Sequence, residues 1–184
     1  MVRRRYDGGG IYRNVWLTAI ASPGPVIAPW GVYCGGSNVS GKISWDATGN
    51  PSGDGQLTPI IEIWNNATKS SDFSLALTIK DASGKAVGAA ATGTGTIPAG
   101  GSLEWSPASP MLMPTANLWH VAKGIKPALY TLEARLSVGG KAADSVTETF
   151  GVRRTDWSNA TGFSLNGKPF KILGNANHQV ISLP

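Results

Sequence analysis

The sequence predicts an all-β protein, and three observations carry that expectation. Glycine (24) and proline (12) make up about a fifth of the 184 residues, a density of turn formers that interrupts regular elements often. Segments with apolar–polar alternation recur roughly every ten residues between Val39 and Val152. No segment shows the period of a long amphipathic helix. Strands at this spacing predict an immunoglobulin-like antiparallel β-sandwich, with an extra N-terminal strand and a C-terminal β-hairpin.

The elements follow in chain order. Ile11 to Ile20 reads as a strand, stopped by Pro23 and Pro25, and a proline-punctuated stretch runs on to Trp30. Ser40 to Thr48 places Ile43 and Trp45 on one face and reads as a strand. Gly49 to Gln56 reads as a flexible turn or loop. Leu57 to Trp64 is a strand. Phe73 to Ile79 alternates, with Phe73, Leu75, Leu77 and Ile79 on one side. The turn Asp81-Ala-Ser-Gly84 leads to a weak return strand, Ala86 to Ile97, suited to an edge or a bulge. Pro98 to Gly101 turns into Ser102–Trp105. Ser106 to Lys126 is proline-rich and reads as irregular. Leu129 to Val138 is a strand, and Gly139-Gly140 turns it into Ala142–Val152. Asn166-Gly167 predicts a further hairpin within Gly162–Leu173.

Composition excludes several classes. With 41% hydrophobic and 15% charged residues, the chain can bury a core and is not generally disordered. It is too short for a (β/α)₈ barrel, which needs roughly 200 residues or more. Three of the five net positive charges come from Arg3, Arg4 and Arg5. No basic stripe interleaves with aromatics, so no nucleic-acid partner is expected. No apolar run reaches a membrane-spanning length, and no membrane partner is expected. The arginines are followed by glycines rather than an apolar core, so no signal peptide is read. The compartment stays undecided. Cys34 is the only cysteine, which excludes an internal disulfide and a cysteine-based zinc site. Asn38-Val-Ser, Asn66-Ala-Thr and Asn159-Ala-Thr fit the glycosylation acceptor pattern, a short and weakly specific signal.

Catalytic chemistry has few candidates. The histidines, His120 and His178, form no metal-ligand pattern, and no Gly-x-Ser-x-Gly elbow exists. No metal or cofactor is expected. Gly8-Gly9-Gly10 precedes a strand and is no phosphate cradle. The carboxylates fall mostly in turns or on alternating strand faces, and none follows Asp156. Trp16, Trp45, Trp64 and Trp105 lie within expected strands, where a core role is favoured over ligand contact. Trp119 and Trp157 are open to either.

Four segments together resemble glycoside hydrolase family 2, the family of β-galactosidases, β-glucuronidases and β-mannosidases. Tyr6-Asp-Gly-Gly-Gly-Ile-Tyr-Arg-Asn-Val-Trp-Leu17 resembles the end of the family's sugar-binding domain. Asn117-Leu-Trp119 with Pro127-Ala-Leu-Tyr-Thr-Leu132, and Phe150-Gly-Val-Arg153, are similar to motifs of its immunoglobulin-like domain. Gly162 to Gly174 with Asn177-His-Gln179 resembles the hairpin and first strand that open its catalytic barrel. The order and spacing match, except that seven residues separate Trp119 from Pro127 where the family has about four, which a loop insertion accommodates.

The resemblance implies three parts: residues 1–22 from a sugar-binding jelly roll, 23–155 as the immunoglobulin-like sandwich, and 156–184 from the start of a barrel. It also implies a parent that is a retaining β-glycosidase, most readily a β-galactosidase, with two glutamates on barrel strands about 5–5.5 Å apart. Those glutamates match no residue of this chain, so no catalytic residue is assigned and the chain alone is expected to be inactive. His178 and its neighbour Asn177 match positions near the substrate. They are expected to contact sugar in an intact parent, whereas His178 in this chain is expected to be a solvated terminal residue. Carbohydrate would then be met through the barrel. The readings carried forward are a non-catalytic piece of such an enzyme, a stand-alone carbohydrate- or protein-binding sandwich, and a complementing subunit with a barrel-bearing partner. Under the first, the two end segments are expected to be loosely packed or to self-associate.

Overall fold

The computed structural model describes residues 10–11, 14–17, 19–20, 23–122 and 124–174. Among these residues every helix-or-strand element is a strand, and all pairings are antiparallel. Numbered in chain order, β1 (Pro25–Tyr33), β4 (Ile60–Asn65) and β7 (Ser102–Trp105) make one sheet in the order β1-β4-β7. A four-stranded sheet runs β10-β9-β5-β6, from Lys141–Phe150, Tyr130–Val138, Ser71–Lys80 and Ala91–Ile97. A third sheet orders β2 (Ser37–Trp45), β3 (Pro51–Leu57) and β8 (Met111–Asn117) as β2-β3-β8. The last is β11 (Thr155–Ser158), β12 (Gly162–Leu165) and β13 (Lys168–Pro169). This is the all-β sandwich with a C-terminal hairpin that the alternation predicts.

Period-2 patterning builds the core. Phe73, Leu75, Leu77 and Ile79 of β5 face inward beside Tyr130, Leu132, Ala134 and Leu136 of β9. Ile61 and Ile63 of β4 meet them, and Leu57, Met111, Met113 and Val152 join the same cluster. Each fully buried side chain of this size contributes about 1.5–3 kcal/mol. Apart from Ala76, the outward residues of β5 and β9 are polar. Lys80 and Arg135 each pair with Glu133 at 2.9 Å, which holds the Glu133 carboxyl below its ordinary range. Both expected two-residue turns form. Gly139 and Gly140 connect paired Val138 and Lys141, and Asn166 and Gly167 connect paired Leu165 and Lys168, all four with positive φ. The weak return strand forms only over Ala91–Ile97, shorter than the expected Ala86–Ile97, and is a sheet edge, as expected.

Four segments depart from the sequence expectation. Pro51–Gln56, expected as part of a loop, forms with Leu57 the central strand β3, and the expected strand Leu57–Trp64 is broken at Thr58 and Pro59, which separate β3 from β4. A Cβ on Gly55 would press on Ala116 and Val152, so close packing rather than flexibility explains that glycine. Met111–Asn117, expected as irregular, is strand β8. Its Pro114 and Thr115 sit in a bulge opposite Asp54, where proline breaks no ladder bond. Pro25–Tyr33, expected as a proline-punctuated stretch, is the edge strand β1, with Pro29 inside its own bulge. The expected strand over Ile11–Ile20 is not formed by the described residues of that stretch. Ile11, Val15 and Trp16 are exposed and Leu17 is 96% exposed. They have no partner strand among the described residues to satisfy their backbone groups.

Candidate functional site

The motifs of the middle and closing segments converge at one end of the sandwich. Tyr130 begins β9, and its hydroxyl accepts from the Asn117 backbone N–H at 2.8 Å and donates to the Asn117 carbonyl at 3.2 Å. Burial is the main cause of the upward shift of this phenol's pKa. The bridge fixes the end of β8. Leu118 then enters the core, and the Trp119 N–H donates to the Val152 carbonyl at 2.7 Å. Gly151 lies under the Trp119 side chain so closely that a Cβ there would collide with it. Arg153 stacks over the same indole at 5.0 Å from the ring centre. Spacing thus reflects geometry: the Phe-Gly-Val-Arg run places a core residue, a gap for the indole, a second core residue and a cation on the indole in turn.

The hairpin is bolted to this assembly. Asn166 is fully buried, although it is polar and has φ 53°. Its side-chain carbonyl accepts from the Arg154 N–H at 2.9 Å, and its amide donates to the Trp119 carbonyl at 3.0 Å. Its own backbone N–H donates to the Arg154 carbonyl at 2.8 Å. Leu165 is buried beside it. The expectation of a loosely packed hairpin is therefore corrected at Leu165. Phe163 and Phe170 are half-buried and pack edge to face at 6.1 Å, while Ile172 is exposed.

A second contact layer lies alongside. His120 is 7% exposed and meets Trp45 edge-on at 5.0 Å and Phe170 at 6.4 Å. The Lys168 ammonium sits 3.5 Å from the centre of the Trp45 ring. Burial, with the charge of Lys168 second, depresses the His120 pKa. Its Nδ1 has no hydrogen-bond partner. A neutral imidazole thus fits an aromatic box between the sandwich and the hairpin.

Beside Trp119 a cleft of about 500 Å³ is lined by Tyr33, Cys34, Leu129, Glu148 and Arg153. Burial, with Glu148 second, raises the Cys34 thiol to about 12, so it is no thiolate nucleophile. Among the described residues no group of three or more His, Cys, Asp or Glu could hold a metal. Glu62 and Glu104 are direct partners across β4 and β7. They lie on an outward sheet surface, with no opposing wall to hold a scissile bond between them.

His178 and Asn177, the substrate-contact positions that the resemblance implies, lie outside the described residues. Of the expected core tryptophans, Trp105 packs at the core margin, Trp45 is half-buried against His120 and Lys168, Trp64 is 37% exposed and Trp16 is exposed. Sequence reasoning did not single out His120. The Asn-Gly pair and the Gly162–Gly174 motif signalled Asn166, but as part of a turn rather than by its bonds.

Comparisons with known proteins agree with this architecture. Residues 41–153 match the family model described as glycosyl hydrolases family 2. The chain belongs to that family. It is 28% identical over 95% of its length to a β-galactosidase of Bacteroides ovatus, covering 18% of that protein. It is 26% identical over 90% of its length to a β-glucuronidase of Formosa agariphila, covering 16% of it. The fold superimposes on a family 2 glycosyl hydrolase from Bacteroides cellulosilyticus with a TM-score of 0.64 and 20% identity, covering 80% of this chain and 18% of that one. The chain spans less than a fifth of the length of these curated relatives.

Proposed function

We propose that this chain is the non-catalytic β-sandwich portion of a retaining β-glycosidase, most readily a β-galactosidase. It seats the catalytic barrel and fixes the direction in which the chain enters it. The observation that carries the reading is the Asn166 lock. A fully buried polar turn residue with three hydrogen bonds holds the hairpin in one orientation. A stand-alone turn has no need of such a tie. Residues 1–22 and 156–184 belong in this reading to the neighbouring sugar-binding and barrel domains, and 23–155 to the sandwich.

Support for a galactosidase comes from the Bacteroides ovatus relative, which matches over nearly the whole chain. The catalytic glutamates lie outside this chain, because no Asp or Glu follows Asp156. In the assembled enzyme Asn177 and His178 sit at the mouth of the barrel and donate hydrogen bonds to sugar hydroxyls. Reading the coding DNA beyond Pro184 tests the parentage. A continuing frame that encodes a barrel with an Asn-Glu pair supports it, and an unrelated continuation overturns it.

A further inference from the structure

Asn166 is the only asparagine of the chain that precedes a glycine. Asparagine is a chemically labile residue, because its side-chain carbonyl can be attacked by the backbone nitrogen of the next residue. Glycine hinders that attack least, having no side chain and the widest backbone freedom. The pair sits at the tip of the C-terminal hairpin, where Asn166 has φ 53° and Gly167 has φ 77° between the paired residues Leu165 and Lys168. The two residues meet opposite surroundings. Gly167 is exposed, whereas Asn166 is 0% exposed and Leu165 beside it is 3% exposed.

Both ends of the Asn166 amide are held from outside the turn. The oxygen accepts from the Arg154 N–H at 2.9 Å, and the nitrogen donates to the Trp119 carbonyl at 3.0 Å. Ring closure needs Cγ to swing onto the Gly167 nitrogen, which breaks both bonds and takes the amide out of its buried seat. A docked hairpin therefore blocks the reaction, and a lifted hairpin allows it. Lifting is a local opening, which costs less than unfolding the whole domain.

We propose that Asn166 is a deamidation site gated by the docking of the hairpin, and that its conversion undoes the dock. In the lifted state base removes the Gly167 N–H proton, and the nitrogen attacks Cγ. The bond from Cγ to the side-chain nitrogen breaks, and ammonia leaves with a proton taken from water. Water then opens the resulting succinimide at either carbonyl, giving aspartate or isoaspartate. Nothing is oxidised or reduced. Aspartate turns an acceptor oxygen toward the Trp119 carbonyl in place of the amide donor. Isoaspartate carries the main chain through Cβ and Cγ, adding one atom to a turn whose length sets the Leu165–Lys168 register. Neither product restores the bond to Trp119. The inference rests on the bonds at Asn166 and is independent of the enzyme to which the sandwich belongs.

The test is peptide mass spectrometry of the purified chain held at mildly alkaline pH, both folded and in concentrated urea. In urea Asn166 should convert to aspartate and isoaspartate ahead of every other asparagine. In the folded chain the conversion should be slower by about tenfold or more, because only the lifted fraction reacts. Leu165→Ala, which weakens the hairpin's buried contact, should speed conversion in the folded chain and leave the rate in urea unchanged. Urea held below the unfolding midpoint should speed it without a substitution. Asn166→Asp, which reproduces one product, should exchange the backbone amide of residue 166 faster than the parent chain does. Equal rates in the folded and unfolded chain overturn the gate, as does a folded rate indifferent to both Leu165→Ala and low urea. Another asparagine converting first in urea overturns the site. An Asn166→Asp chain as well protected as the parent overturns the claim that conversion undoes the dock.

Discussion

The side-chain amide of Asn166 donates to the backbone carbonyl of Trp119 at 3.0 Å, joining the tip of the C-terminal hairpin to the end of the sandwich. The two residues are 47 positions apart, so the bond closes a long loop of chain. Asn suits the position twice. It tolerates positive φ better than most residues, and it offers an acceptor to Arg154 and a donor to Trp119 at once.

Asn166→Ala should destabilise the protein by about 1–3 kcal/mol, because the Arg154 N–H and the Trp119 carbonyl lose their partner. Urea denaturation measures the loss. A spin-label pair on Ser74 and Ile172 should give a narrow distance distribution that broadens in the variant. An unchanged distribution would show that the lock is not what orients the hairpin.

Gly151→Ala places a methyl group against the Trp119 side chain. Overpacking of this kind costs about 1–3 kcal/mol. The melting temperature should fall, and the near-UV circular dichroism of the tryptophans should change with it.

Tyr130→Phe keeps the ring against Phe150 but removes the hydroxyl that bridges Asn117. The cost should be about 0.5–1.5 kcal/mol per net hydrogen bond. Amide exchange at Asn117 should accelerate more than at Leu75.

His120 gives the stability a pH dependence of known sign. Its folded pKa lies below the ordinary 6.5 of the unfolded chain. Between the two values the unfolded state binds more protons, so stability rises with pH. The contribution is therefore present above about pH 6.5 and is lost as pH falls through the folded value. Lys168 faces the same ring system and adds repulsion once the imidazole is charged. Denaturation midpoints across this window should drop on acidification, and His120→Phe should flatten that slope.

Much of the fold was legible because one physical signal dominated it. The alternation in Phe73–Ile79 and Leu129–Val138 reports half-buried strands, and Asn166-Gly167 and Gly139-Gly140 report tight turns. What escaped were strands whose backbone is shaped by close packing or bulges. Gly55 reads as flexible but is small because Ala116 and Val152 leave no room. Pro29 and Pro114 read as strand breakers but sit in bulges. The junction was half legible. The family motifs marked its residues, yet the Asn166 bonds and the His120 box arise between segments far apart in the chain.

The role proposed for this sandwich is to support catalysis without performing it. Its most direct test is the purified chain, at high concentration, with chromogenic β-galactoside and β-glucuronide substrates. No hydrolysis above the buffer rate is expected. Turnover at enzyme-like rates that survives repurification would contradict it and would place a catalytic carboxylate pair within these 184 residues.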